Sequence, residues 1–315
     1  MESMYNAVAG VDVHQQKLTI TTLVGNNSKK ITKTTWECGT YTDDLVEAGK
    51  KIKSLGVTEV AMESTGVYWR PVYNIWSKMG INITLGNAYH IKNVPGRKTD
   101  IKDSDWLAQL HGNGLIRPSY IPKEEFRKLR DLTRHRGNLE KDIIDVKNRI
   151  QRALEDGNIK LKSAISNVFG VAGRKVLMAI IEGEKDPEVL TKLVDTNVKA
   201  KKEVIRKSLN HTLDEINLFL LKNMYSQLLY LEHLAQELEK KINDMMAPYD
   251  KFIKKLDEIP GIDKITAQII IAEATTDMEN FKDAKAFAAW AGVASGNHES
   301  ASKKKEQNVA RGIPL

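Results

Sequence analysis

Between Ala7 and Asn87 the apolar pattern of the chain switches repeatedly between period two and period 3.6, and few folds accommodate the order that results. Ala7–Val13 (AVAGVDV) is a short apolar run and reads as a buried strand. Lys17–Val24 (KLTITTLV) alternates strictly and is β-branched. Gly25–Lys30 (GNNSKK) is a turn signal, and Ile31–Trp36 (ITKTTW) is a third strand. TDDLVEAGKKIKSLG then reads as an amphipathic helix, with Thr42 as its N-cap and Gly56 just past its end. Val57–Glu63 is a fourth strand, GVYWRPVYNIWSKMG a helix with Pro71 near its first turn, and Ile81–Asn87 a fifth strand. A further helix starts within RKTDIKDSDWLAQL. Short turns make the first three strands a meander, whereas strands reached through helices return parallel to the first. The expected fold is α/β: a mixed five-stranded sheet with helices on its faces.

The character changes near Lys123. EEFRKLRDLTRHRGNLEKDIIDVKNRIQRALEDGNI carries Phe126, Leu129, Leu132, Leu139, Ile143, Val146, Ile150 and Leu154 at helical spacing, and a second long pattern runs from about Asp214 to Met246. Two such helices suggest an antiparallel pair or coiled coil. Pro248 and Pro260 bracket a third region, where LDEIPGIDKITAQIIIAEA reads as helix, Pro-Gly turn, helix. The domains expected are 1–122, an α/β domain; 123–250, a helical coiled-coil region; and 251–315, a small helical C-terminal domain with a helix-hairpin-helix-like segment.

The 315 residues are 41% hydrophobic and 28% charged, the balance of a soluble globular protein. No apolar run reaches the roughly 18–20 residues a membrane span needs, and the first residues lack a secretory signal. Cys38 is the sole cysteine, which excludes a disulfide within the chain and fits a reducing cytoplasm. The net charge of +7 is gathered into KKIKSLG, KEEFRKLRDLTRHRGNLEK, KAKKEVIRK and SKKKEQNVAR, as suits a polyanion partner.

Four acids stand out against this background. Asp12 sits in an apolar strand, where an aspartate is out of place unless a partner or backbone N–H groups satisfy it. Glu63 ends the fourth strand. Asp100 and Asp103 precede an apolar run in the spacing of a helix start, where acids meet free amides. Phase adds something: Asp100, Asp103, Leu107 and Leu110 fall on one stripe, so Asp103 should face the buried side, while Asp105, about 200° away, should face solvent. An inward carboxylate needs a cation. If the first and fourth strands are neighbours, Asp12 and Glu63 meet there. Four carboxylates without histidine suit Mg²⁺ or Mn²⁺ rather than zinc, and two such ions can hold a phosphodiester.

Taken in order, GVDVH, ESTGVYWRP, GRKTDIKDSDWLAQL, LRDLTRHRGNLEKDIIDVKNRI, IPGIDKITAQIIIAE and FAAWAGVASGNHESASKKK closely resemble the DEDD transposases of bacterial insertion sequences. These are relatives of the pilin-gene invertase and of bridge-RNA-guided recombinases, and the strand and acid order resembles the RNase H-like, RuvC-type fold. The resemblance implies that Asp12, Glu63, Asp100 and Asp103 are metal ligands, holding two Mg²⁺ or Mn²⁺ ions. It implies a nucleophilic serine, best matched by Ser300 with Ser302 as runner-up, that forms a covalent link to DNA beside the metal site of a partner subunit. It further implies a homo-oligomer, dimer or tetramer, acting in the bacterial cytoplasm on donor and target DNA, with a structured guide RNA. Lys303, Lys304 and Lys305 could hold the DNA backbone, as could Arg97 and Lys98. The basic residues Arg127, Arg130, Arg134, Arg136, Lys147, Arg149 and Arg152 could track nucleic acid or form a solvated face. The Pro-Gly turn of IPGIDKIT could offer helix amides to a phosphate. One departure is that VARGIPL replaces the family's glycine-anchored C-terminal helix, as in a shortened copy. Two alternatives stay open: a RuvC-like junction nuclease that uses water, and a nucleic-acid-binding remnant without recombinase activity.

Overall fold

The computed structural model describes residues 5–25, 31–64, 66–94, 103–194, 201–279, 281–292, 299–300 and 303–304. The chain divides into two compact units, Met1–Ile121 and Pro122–Leu315.

The first unit runs β1 (Ala7–Val13), β2 (Lys17–Val24), β3 (Thr32–Gly39), α1 (Thr42–Ser54), β4 (Glu59–Glu63), α2 (Trp69–Lys78), β5 (Asn82–Gly86), α3 (Ala88–Lys92) and α4 (Asp103–Gly112). The five strands form one sheet in the order β3-β2-β1-β4-β5. β1, β2 and β3 pair antiparallel; β4 runs parallel to β1, and β5 parallel to β4. This is the mixed sheet that the meander and the helical crossovers require, and it is consistent with an RNase H-like fold.

Strand side chains alternate between faces, so the sheet has two different surfaces. One is apolar: Ala9, Val11, Leu18, Ile20, Val60, Met62 and Leu85 pack against Leu45 and Ile52 of α1 and Val72 and Trp76 of α2. Fully burying a side chain of this kind stabilises by about 1.5–3 kcal/mol. The Trp76 indole N–H also donates to the Leu45 carbonyl at 2.7 Å, tying the two helices together. α1 begins one residue earlier than its sequence suggests. Tyr41, not Thr42, occupies the N-cap position, and its backbone N–H donates to the Asp44 carboxylate at 3.2 Å. The helix ends at Leu55, and Gly56 follows with φ +74°.

The opposite surface carries small and polar residues and is covered by α4. Ala61 lies there among Ile91, Trp106, Leu107, Leu110 and Ile116. Gly10, next to Ala61 in the ladder, is the tightest point: a Cβ built on Gly10 would strike the Ser104 carbonyl oxygen and the Ala108 amide nitrogen of α4. Only glycine lets the helix backbone come this close to β1.

The second unit is helical: α5 (Glu124–Asp156), α6 (Leu161–Ala164), α7 (Val171–Ile181), α8 (Pro187–Lys192), α9 (Lys202–Ser208), α10 (Glu215–Met246), a single 3₁₀ turn, α11 (Asp250–Asp257), α12 (Lys264–Ala274) and α13 (Ala284–Trp290), with β6 (Glu299–Ser300) paired antiparallel to β7 (Lys303–Lys304). Asp214 caps α10, accepting the Asn217 amide at 2.8 Å. α5 and α10 are antiparallel, because the polar pairs between them run in opposite senses: Arg136 with Glu239, Lys147 with Glu232, Arg149 with Gln227. Their two ends enter separate cores. Phe126, Leu129, Ile242 and Met246 pack with Ile253 of α11 and Ile271 of α12. Val146, Ile150, Leu154, Leu221, Tyr225 and Leu228 pack with Val176, Leu177 and Ile180 of α7. Among the described residues, no helix is long and apolar enough to cross a membrane.

Candidate metal and nucleic-acid site

Asp12 lies two residues beyond Gly10 on β1, and Glu63 two beyond Ala61 on β4. By the period of two, both acids share the α4 face of the sheet, at the end where the parallel strands finish. α4 starts at Asp103. Burial pushes the Asp12 carboxyl above the ordinary aspartate range. His14 opposes this, and the nearby carboxylates of Asp103 and Glu63 push it further up. Asp103 and Glu63 therefore both lie within electrostatic reach of Asp12. The fourth, Asp100, lies outside the described residues, as do Arg97 and Lys98.

The three acids are not gathered as closely as a metal would hold them: among the described residues, no group of three or more His, Cys, Asp or Glu could hold an ion. Their chemistry nevertheless fits a hard divalent cation. They are oxygen donors, and their mutual repulsion is the kind that a bound cation relieves.

Two expectations about α4 are corrected. Asp103 is exposed, not on a buried stripe, and Asp105 is 5% exposed, not facing solvent. The reason is that α4 is enclosed on both sides, by the sheet and by Ile91 and Ile116. Its middle has no solvent face, and only its first residue emerges beyond the strand ends. Asp105 is held by an ion pair with Lys33 of β3 and accepts from the Gln109 side chain at 3.1 Å.

His14 was not singled out by the sequence, although it stands in GVDVH. Its Nε2 lies 3.0 Å from the Asp12 carboxylate. With Val13, Gln15, Gln16, Lys17 and Tyr68 it lines an open cleft of about 490 Å³.

In the second unit the basic residues separate by environment. Arg136 is 5% exposed, donating to Glu239 at 3.1 Å and Gln268 at 2.6 Å. Arg134 donates twice to the buried Glu273 carboxylate, at 2.7 and 2.9 Å, and Arg130 donates to the Ala272 carbonyl at 3.1 Å and to the Glu273 carbonyl. These three arginines fasten α12 and α10 to α5: Arg136 is buried and Arg130 largely so, while Arg134 pairs with Glu273 from the surface with its side chain 43% exposed. Lys147 pairs with Glu232 at 3.3 Å. Arg127 is half-buried, while Arg149 and Arg152 are exposed. At the Pro-Gly turn, Gly261 has φ +91°, and Asp263 accepts the Thr266 amide at 2.8 Å, so the N-terminus of α12 already holds a carboxylate of its own. Ser300 stands opposite Lys303, and Glu299 opposite Lys304, in the β6–β7 pair. Ser302 and Lys305 lie outside the described residues.

Residues 9–159 match the family model of IS110-type DEDD transposases, and residues 253–313 match that of the transposase IS116/IS110/IS902 family. The chain belongs to the IS110 family of DEDD transposases. The first match contains nearly all of the sheet, with α4 and its acids; the second contains the end of α11, all of α12 and Ser300. A transposase of this family is an enzyme of insertion sequences that acts on DNA, and its DEDD class uses divalent metal ions. A comparison with curated proteins found no match to this transposase.

Proposed function

We propose that this transposase cleaves and rejoins DNA with a metal site formed by Asp12, Glu63, Asp100 and Asp103, and with Ser300 as nucleophile. The observation that carries the reading is that Asp12 and Glu63 share one face at the end of the neighbouring strands β1 and β4, where α4 begins at Asp103, inside the part of the chain that matches the DEDD transposases. When bound, Mg²⁺ or Mn²⁺, as one ion or a pair, supplies Lewis-acid stabilisation of the charge that develops on the phosphodiester.

The chain's own groups do the rest. The Ser300 hydroxyl oxygen bonds to phosphorus as one bridging P–O bond breaks. The serine proton passes to a base, and the released deoxyribose oxygen leaves as a hydroxyl. The product is a covalent serine–DNA ester whose energy is kept for rejoining. Lys303 to Lys305 and the exposed Arg149 and Arg152 supply backbone contacts. Family kinship supports two further parts of the reading: a structured RNA that pairs with donor and target DNA, and a homo-oligomer in which one subunit's serine meets a partner's metal site.

Purified Asp12→Ala and Asp103→Ala should lose Mg²⁺-dependent strand cleavage to background while retaining nucleic-acid binding. Ser300→Ala should lose the covalent DNA adduct. Unchanged cleavage in Ser300→Ala would mean that water is the nucleophile, as in a junction nuclease. Sequencing the RNA that copurifies with the protein tests the guide.

A further inference from the structure

β2 and β3 carry none of the candidate ligands, yet both reach the helix that carries Asp103. Gly10, Thr21 and Thr35 are cross-strand partners on β1, β2 and β3, which places them in one row beneath α4. Along this row, the Thr21 hydroxyl lies 2.8 Å from the Ser104 hydroxyl and 3.0 Å from that of Thr35. Thr21 and Ser104 are each fully buried. Lys33, two residues before Thr35 and on the same face, pairs with buried Asp105. Thus the residues immediately after Asp103, at 104 and 105, are each bonded to a strand that carries none of the acids.

We propose that Thr21, Ser104 and the Lys33–Asp105 pair are positioning residues of the metal site, setting the height and rotation of α4 so that Asp103 stands against Asp12. The inference rests on the reading of Asp12, Glu63 and Asp103 as ligands. The contact at Gly10 brings the helix close but is non-directional, and a smooth contact allows sliding. Two directional bonds to different strands remove that freedom: buried hydroxyls bond only in a narrow range of geometry, and a buried carboxylate is held where its cation stands. Lys33 gives the idea a distinctive sign. By charge alone, an ammonium near the acids weakens cation binding, so its removal would tighten binding. If it acts by position, its removal weakens binding.

The test is a titration of the full chain, free of nucleic acid, with Mn²⁺ followed by electron paramagnetic resonance. Circular dichroism checks that each variant is folded. Thr21→Val, Ser104→Ala and Lys33→Met should each raise the Mn²⁺ Kd, on the order of tenfold, as loss of groups that orient metal ligands does. Thr21→Ser and Lys33→Arg should restore binding. A role confined to stability would lower the melting temperature and leave the Kd of the folded protein in place. The proposal is overturned by an unchanged Kd in both Thr21→Val and Lys33→Met, or by tighter binding in Lys33→Met. Should Thr21→Val not fold, Lys33→Met decides, since that side chain is half-exposed. Asp12→Asn separates the two readings. If it binds Mn²⁺ as the parent does, or the parent binds none, the ligand assignment fails and takes this proposal with it. If only Asp12→Asn loses binding, the positioning role alone is wrong.

Discussion

Replacing Gly10 by alanine tests the close backbone contact between β1 and α4. The added methyl would lie 2.9 Å from the Leu107 carbonyl carbon, with the Ser104 oxygen and Ala108 nitrogen nearer still. Carbon atoms rest at about 3.5–4.0 Å, so α4 must withdraw by more than about half an ångström. The obstacle is helix backbone and has no rotamer with which to yield. Overpacking of this kind costs about 1–3 kcal/mol, and displacing a reacting group by about 1 Å costs on the order of 10²-fold in rate. Gly10→Ala should therefore lower the urea midpoint and reduce Mg²⁺-dependent DNA cleavage by roughly 10–100-fold at saturating metal. Gly49→Ala is the control. Its methyl would meet Met79 side-chain atoms at 2.9 Å and Trp76 Cδ1 at 3.0 Å. The Met79 side chain can turn away, and the helix gains from alanine, so cleavage should be unaffected. A Gly10→Ala protein with parental urea midpoint and cleavage rate would refute the claim that α4 is seated through this glycine.

Two other predictions concern the helical unit. Glu273→Ala leaves Arg130 and Arg134 without their buried carboxylate. Breaking a buried pair costs about 3–5 kcal/mol, but Arg134 is 43% exposed and can rehydrate, so a loss of about 2–3 kcal/mol in urea unfolding is expected; under about 1 kcal/mol would contradict the role given to Glu273. Burial pushes Glu232 up, yet hydrogen bonds and charge from Arg174 and Lys147 outweigh it and hold the carboxyl below the ordinary range. A depressed folded value gives stability that is present above the unfolded value and lost as pH falls through the folded one. Glu232→Gln should therefore lessen the loss of stability from about pH 5 downward, measured by urea midpoints; a parental slope would show that the pair carries no pH dependence.

β1 and β2 were legible to the residue, because β-branched alternation and the GNNSKK turn leave little freedom. β3 extends past Trp36 to Gly39, since Cys38 and Gly39 pair with Leu18 and Lys17, a tertiary contact with no local signature. Asp12 and Glu63 were conspicuous because acids are rare in such strands. Helical phase misplaces Asp103 and Asp105 because it presumes one buried stripe, and α4 is covered on both sides. The arginines of α5 illustrate another limit. A row of arginines is the same string whether it meets phosphate or carboxylate, and here the carboxylates, Glu239 and Glu273, stand more than a hundred positions away.

The antiparallel pair of α5 and α10 has a metric consequence. Leu129 belongs to the core shared with α11 and α12, and Ile150 to the core shared with α7. At 1.5 Å per residue, the continuous helix between them measures about 30 Å. That is close to nine nucleotide steps of about 3.4 Å along one DNA strand. The interval between the two cores is thus written in the chain itself as a count of residues. An insertion or deletion of one helical turn in both helices would lengthen or shorten it in steps of about 5.4 Å, leaving either core its own contacts.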